Sequence, residues 1–593
     1  MFSIYLNLNI TRTLSACLFL VLLLGCNQKK EAYESDPVLI LQSNYKSGLQ
    51  TCIKHLEALE VAKNKTQGIK AYKLARSAFK SLEPILAFVD KANYKFLNAP
   101  NILKIEEEDA TDIKINNPKG FQVLEEMLFD DDVDLATIKT TAKATKNRLN
   151  LVLKNTSLKL KNHHVIWLIR DEIARVALTG ITGFDSPVLE NSLFEAQIAY
   201  KTIQDILNVF KSNFKNQNLV KNWNTEIAET IAILNADFNT FDRYSFIKNH
   251  TNKQLRLLVE TQSDWNVNFP FELAFKNNMT SLFSNETFNL NYFSDSNKQD
   301  HKVVKKATLG QLLFNDKNLS TSQEISCATC HVKEKAFTDG FKTFKKQTRN
   351  TPTVAYAALQ KSFFYDGRAG SLEGQIVSVI DNKDEFHSDL KTITNAVLKN
   401  PKYVSAFNEY YGKISDREIR HAIATYIRSL NTFNSKFDRN INNLEQSLTK
   451  SEINGFNIFN GKGKCATCHF APVFNGTVPP NFTESEMELI GVPNSTKMKP
   501  KVSPDLGRYN VFNTKERKFF FKTPTIRNIE KTAPYMHNGV YNTLDEVLVF
   551  YNNGGGSGLG LDLEYQTLPS DSLNLSNSEI KDVVNFMKTL NDE

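Results

Sequence analysis

Two copies of one pentapeptide, Cys-Ala-Thr-Cys-His at residues 327–331 and 465–469, constrain this chain more than any other feature. Each copy gathers two thiols and an imidazole into five positions. Three chemistries use such cysteine pairs: a structural zinc knuckle, a redox dithiol and covalently attached haem. The first two leave His331 and His469 without a role. In Cys-x-x-Cys-His, the two sulfurs form thioethers with the porphyrin edge while the adjacent imidazole ligates the iron. Cys327, Cys330 and His331 are therefore expected to hold one c-type haem, and Cys465, Cys468 and His469 a second. A segment that wraps a flat apolar group in this way is expected to be a small helical cytochrome c unit.

The remaining cysteines agree with attachment outside the cytoplasm. Of seven in all, Cys17 and Cys26 lie in an N-terminal segment and Cys52 stands alone. After Arg12 comes the apolar run "LSACLFLVLLLGC", too short for a membrane span and placed like an export signal. Its Leu-Leu-Gly-Cys ending resembles a bacterial lipobox. That resemblance implies lipid on Cys26, a membrane anchor, and placement in the periplasm or on the outer membrane. Exported thiols meet an oxidising environment, so the four paired cysteines need an occupant.

A chain of 593 residues exceeds one ordinary core, since a domain takes roughly 100–200 residues. Its 41% hydrophobic and 23% charged content is that of a globular protein. The net charge of +7 is spread without a basic block, which argues against a nucleic-acid partner. Residues 37 to about 285 read as helices. Ala71, Leu74, Ala75, Ala78, Phe79 and Leu82 recur at three and four, as do Leu193, Ala196, Tyr200, Ile203, Leu207 and Phe210, and both stripes are expected in the core. Pro84, Pro118 and Pro187 are expected at turns or kinks. Ser576 with Glu579 makes a capping box for a last helix carrying Ile580, Val583, Val584, Met587 and Leu590. "NGGGSGLGLD", residues 553–562, is too glycine-dense for regular structure. The expected architecture is mainly α. It comprises a signal (1–26), a helical bundle domain (27–285), a polar linker (286–303), and two cytochrome c domains (304–450 and 451–593).

Within the helical part, "GFQVLEEMLFDDD" at 120–132 resembles the Gly-x-His-x-x-Glu motif of imelysin-like domains. Gly120 and Glu125 match it, but Gln122 replaces the histidine, so a docking or spacer role is expected rather than metal binding. His163 and His164 precede an apolar segment and are expected as capping or surface residues.

Beyond residue 304 the segments "LGQLLFNDKNLS", "RNTPTVAYAALQKSFFYDGRAGSLEGQ", "IFNGKGKCATCHFAP" and "FKTPTIRNIEKTAPYMHNGVYNTLDEVLVFYNNGG" resemble the bacterial dihaem cytochrome c peroxidase and MauG superfamily, in its order and spacing. The resemblance implies that hydrogen peroxide reacts at the first haem and that the second transfers electrons. It places Glu385 and Gln375 over the open face of the first haem. A carboxylate there would carry a proton from the near to the far peroxide oxygen. Neighbouring His387 is expected at the surface. Tyr365, in "YDGR", stands where the family has an electron-hopping tryptophan. Asn350, Thr532 and Pro534 match a calcium site, and oxygen ligands suit that ion. Residues 332–349 contain no histidine, which implies a first haem open at rest. Tyr551 falls at the second haem's other axial position, with Met536 as the competing ligand. The implied activity is peroxide reduction with electrons from a cytochrome or other redox protein. A MauG-like oxidase acting on a protein or organic substrate, and a non-catalytic dihaem electron carrier, are the alternatives.

Overall fold

Helix α1 (Pro37–Glu60) starts where the Asp36 carboxylate accepts the Val38 N–H and proline occupies the first turn, two features that favour helix initiation. The computed structural model describes residues 36–109, 111–294 and 300–593. The expected signal, with Cys17 and Cys26, lies outside them. Among the described residues no helix is long and apolar enough to cross a membrane.

Helix α2 (Lys65–Val89) buries Ala71, Ala75, Phe79 and Leu82 against α1, whereas Leu74 is 47% exposed. Leu74 lies off the face defined by positions 71, 75, 79 and 82, so the expected stripe is narrower than the apolar residues suggested. Pro84 lies inside the helix, so it marks no turn there. After α3 (Lys91–Asn98) the chain forms a hairpin, β1 (Lys104–Asp109) with β2 (Asp112–Asn116), in antiparallel register. Then follow α4 (Phe121–Phe129), α5 (Leu135–Asn155), α6 (Asn162–Leu178), α7 (Ser192–Val209), α8 (Gln217–Ile233), a short α9 (Arg243–Phe246) and α10 (Asn252–Asp264). Helix α6 is buried along its whole length from Val165, with α2, α7 and α10 packed against it. His164 caps it, accepting the Lys161 N–H at Nδ1 (3.0 Å).

The first haem-motif region contains α11 (Val303–Asn315), α12 (Cys327–Cys330), α13 (Leu372–Asp381), α14 (Leu390–Leu398), α15 (Pro401–Tyr411) and α16 (Asp416–Arg428). The second contains α17 (Lys450–Phe459), α18 (Leu544–Asn552) and α19 (Asn577–Lys588). Each region is built on the same helix crossing. A Cβ at Gly310 of α11 would overlap the Ala422 carbonyl of α16, and one at Gly455 of α17 would overlap the Asp582 carbonyl of α19. Glycine lets the two backbones touch, and the phenylalanine one turn later, Phe314 or Phe459, is buried. Ser576 and Glu579 cap α19 reciprocally, and its apolar stripe is buried. The glycine-dense stretch is less irregular than expected, because Gly555–Gly558 forms one helical turn with Gly554 and Gly555 at positive φ.

Residues from α1 to Phe288 share one continuous core with Phe433–Leu590, joined by Ala355, Tyr356 and Leu359 of the first haem-motif region, the rest of which packs in a second core. The expected linker is built into the shared core over its first part: Phe288 is 2% exposed and its ring lies 5.2 Å from Phe482 and 5.8 Å from Phe433. Polar neighbours obscured these aromatic anchors. The hairpin clamps the same region, with Glu107 accepting from Arg508 Nε (2.8 Å) and the Ile105 carbonyl from Arg517 (3.2 Å).

Candidate functional site

Helix α12 is a single turn that places Cys327 and Cys330 on one side as half-buried free thiols. His331 follows its last residue. Ala336 and Phe337 adopt left-handed backbone and turn the chain back, so that His331 Nδ1–H donates to the Phe337 carbonyl (3.0 Å). The second motif repeats this. Cys465–Thr467 forms a 3₁₀ turn, Phe474 is left-handed, and His469 Nδ1–H donates to the Phe474 carbonyl (3.1 Å). A carbonyl can only accept, so both imidazoles carry the proton on Nδ1 and keep the Nε2 lone pair for a ligand. Burial holds both neutral, pushing His331 below the usual histidine range and His469 down to about 4. Ring contacts with Phe314 (6.3 Å) and Phe459 (6.4 Å) steady them equally.

Both histidines open on one cavity of about 980 Å³. Cys465, Cys468, Tyr551, Met536, Thr532 and Pro534 line it from the second region, and Gln375, Tyr365 and Asn350 from the first. Gln122, Thr182 and Phe184 of the N-terminal helices complete the wall, and Phe184 packs edge-on against Phe470 beside His469 (5.4 Å). This third wall escaped sequence reasoning because no residue in it belongs to a motif for haem.

Glu385 reaches the first motif from the loop after α13. Its charge acts on both Cys327 and Cys330. Burial raises its pKa above the usual carboxylate range, against the lowering effect of the Asn382 amide (2.9 Å) and Arg368. His387 is exposed. Tyr365 sits at the junction of the two haem-motif regions: its carbonyl accepts the Lys522 N–H (2.7 Å) and its hydroxyl lies 3.5 Å from Asn350 Oδ1. Burial holds that phenol well above its ordinary pKa. Tyr551, on α18, is within electrostatic reach of Cys468 and Cys465 and is likewise raised by burial. Asn350 donates through its amide to the Phe341 carbonyl (2.9 Å), leaving Oδ1 with only the long Tyr365 contact. Asn350, Thr532 and Pro534 all line the cavity.

Gln122 and Glu125 serve packing. Gln122 donates to the Asn98 carbonyl (2.8 Å), and the fully buried Glu125 accepts from Tyr72, Ser186, Val188 N–H and Leu189 N–H at 2.9–3.1 Å. A carboxylate so saturated has no lone pair to spare for a metal. Gly120, at φ 112, is required because a Cβ would crowd the Leu97 carbonyl. Among the described residues one other cluster has metal-ligand character, Glu226, Glu229 and His250, and the Lys253 ammonium occupies it at 2.5 Å from Glu226.

Comparison with known proteins gives the site its context. The family described as di-haem cytochrome c peroxidase matches residues 304–446. Cytochrome-c peroxidase IdrP2 of Denitromonas iodatirespirans is 31% identical over 310 residues, covering 48% of this chain and 81% of the relative. The chain belongs to the dihaem cytochrome c peroxidase and MauG family. Methylamine utilization protein MauG of Methylophilus methylotrophus is as near, 32% identical over 302 residues, covering 49% of this chain and 83% of MauG. A solved MauG-like protein associated with microbial copper homeostasis is 26% identical, with a TM-score of 0.43 over 49% of this chain and 90% of that one. Membership makes the protein a peroxidase-type enzyme with two c-type haems. Its residues suit that cofactor: each motif offers two unpaired thiols for thioethers and one neutral imidazole with a free Nε2.

Proposed function

We propose that the enzyme reduces hydrogen peroxide at the haem of Cys327, Cys330 and His331, with electrons relayed through the haem of Cys465, Cys468 and His469. The overall change is H2O2 + 2 H⁺ + 2 e⁻ → 2 H2O. Bound haem supplies the redox-active iron. The protein supplies proton handling, and the observation that carries the reading is the half-buried carboxylate of Glu385, whose charge reaches Cys327 and Cys330 of the first motif; the second motif has a buried acid of its own, Glu488, beside Cys468. A carboxylate whose pKa is raised by burial is poised to take and return a proton. Gln375, in the wall of the cavity, offers an amide to orient a bound oxygen. Tyr365, between the two regions, is proposed as the stepping point for electrons. With no histidine in residues 332–349 to cap the first haem, the oxidised protein reacts without prior reduction.

The deciding experiment is stopped-flow mixing of the oxidised holoprotein with peroxide. Glu385→Gln should retain both haems and lose about 10²–10⁴-fold in rate, the usual worth of general acid–base help. An unchanged rate would remove Glu385 from the chemistry. In the native protein the rate should rise as pH passes through the raised pKa of Glu385, because the ionised form accepts the first proton.

A second reading, a MauG-like oxidase that spends peroxide equivalents on a protein or organic substrate, draws support from Tyr551 facing the second motif. Calcium bound by Asn350 Oδ1 and the carbonyls of Thr532 and Pro534, with water filling the shell, is a further proposal. A chelator should then slow the reaction and added calcium restore it. Export with lipid on Cys26, to the periplasm or outer membrane, is proposed from the sequence. Lipid-precursor labelling that survives Cys26→Ala would refute it.

A further inference from the structure

We infer that Lys522 receives a propionate carboxylate of the haem held by Cys465, Cys468 and His469. The inference rests on that haem assignment and not on the peroxide reaction. Lys522 begins Lys-Thr-Pro-Thr (522–525), the second of two Thr-Pro-Thr segments that each follow a haem motif; Asn350 precedes the first. Its side chain is 9% exposed and lines the cavity that opens on His331 and His469. The ammonium donates to Gln360 Oε1 at 3.0 Å, and among the described residues no carboxylate pairs with it. Several buried cations of the chain are matched by acids, Arg527 by Asp438, Arg428 by Glu373, Arg76 by Glu195, and Lys80 by Asp185 and Glu83, whereas Arg243 is met by three backbone carbonyls, those of Ile181, Phe241 and Phe238. An ammonium withdrawn from water needs an anion, and an amide oxygen is a poor substitute.

The surroundings hold Lys522 in place. Its N–H is bonded to the Tyr365 carbonyl (2.7 Å), and the preceding Phe521 stacks on His537 with ring centroids 3.9 Å apart. Burial brings the pKa of the side chain down to about 8. The Lys-Thr-Pro-Thr segment seats on the loop after the second motif, which identifies the haem concerned: the Thr523 carbonyl accepts the Gly476 N–H (3.2 Å) and the Thr525 hydroxyl donates to the Val473 carbonyl (2.6 Å). Glu486 and Glu488 line the same cavity without an ion pair to this ammonium, burial holding Glu488 up to about 7, and a haem brings two further carboxylates to it. A positive charge beside a propionate favours the reduced iron and raises the midpoint potential of that haem.

The test uses the holoprotein with Lys522→Met and Lys522→Arg. Haem content by pyridine haemochrome, the midpoint of each haem by spectroelectrochemistry, and the propionate bending mode in resonance Raman are measured without peroxide. The Met variant should keep two haems, move the second midpoint to more negative potential, shift the propionate band and leave the first midpoint in place. The Arg variant should restore both signals. A Met variant with two haems and neither signal moved overturns the inference. Should the Met variant lose the second haem, retention in the Arg variant supports a carboxylate partner. Retention in Lys522→Gln with an unmoved midpoint counts against one.

Discussion

Arg349 grips Asp505 through two hydrogen bonds, Nε–Oδ2 at 2.6 Å and Nη2–Oδ1 at 2.9 Å, across the junction of the two haem-motif regions. The same guanidinium reaches Asp366 of the Asp-Gly-Arg turn at 2.7 Å. Both carboxylates are largely shielded from water, so this cluster ties the two regions together. Removing one partner of a buried pair leaves the other uncompensated, a loss of about 3 kcal/mol. Arg349→Met should therefore lower the urea midpoint and weaken the coupling between haems, read as independent reduction of the two. An unaltered midpoint would make the cluster superficial.

The same pair predicts an acid dependence. Burial works to raise the pKa of Asp505, but the Arg349 hydrogen bonds and charge outweigh it, and the net folded value lies below the ordinary one. A depressed folded pKa gives stability that is fully present above the unfolded carboxylate value, about 4, and is lost as pH falls through the folded one. Urea unfolding of the native protein should weaken across that acid window, and Asp505→Asn should flatten the dependence. Equal slopes for the two proteins would contradict the assignment.

Gly310 and Gly455 mark equivalent helix crossings. A methyl group at either would meet a carbonyl of the facing helix, so Gly455→Ala must push α17 and α19 apart. Overpacking of this kind costs roughly 1–3 kcal/mol, with more where backbone must move. The expected result is a holoprotein with a disturbed second haem and a normal first haem, judged from their separate absorption bands. Gly310→Ala should do the converse. The comparison fails if each variant disturbs both haems alike.

Covalent attachment gives a direct count. Thioethers survive acid-acetone extraction, so the denatured protein should retain two haems and Cys327→Ser should retain one securely. Free extraction of haem, or zinc in the purified protein, would end the haem assignment at its first step.

How far the sequence carried depended on where the information was local. Cys-x-x-Cys-His is a contiguous unit, so the attachment sites were legible residue by residue, as were the α19 cap and stripe. The positions of Glu385, Gln375, Tyr365 and Tyr551 came from spaced motifs, which named them without giving their contacts. The contribution of the N-terminal helices to the cavity was not legible, since Gln122, Thr182 and Phe184 reach it through packing between distant segments. Phe288 was hidden for a related reason: one aromatic among polar residues looks like linker until its partners, Phe433 and Phe482, are brought to it. Lys522 did leave a signal, the repeated Thr-Pro-Thr after each haem motif, which an internal comparison of the two regions would have exposed.

The last prediction separates the two readings of the enzyme. Tyr551 and Met536 both line the cavity on which His469 opens. Methionine opposite histidine raises the potential of a haem, whereas a phenolate stabilises ferric iron and lowers it. Tyr551 is buried and within electrostatic reach of both Cys465 and Cys468, and it lies on a regular helix that fixes its direction. Met536 instead sits in a left-handed turn at φ 73, a conformation set by the sharp bend toward Gly539. Tyr551→Phe should therefore change the low-spin ferric signal of the second haem and raise its midpoint, while Met536→Leu leaves both nearly intact. That outcome favours an oxidase that spends peroxide equivalents on a substrate, because a low-potential second haem accepts electrons poorly from an ordinary cytochrome. If the native protein instead shows the near-infrared band of methionine-ligated ferric haem, and Met536→Leu abolishes it, the second haem is a conventional inlet and the enzyme acts as a cytochrome c peroxidase.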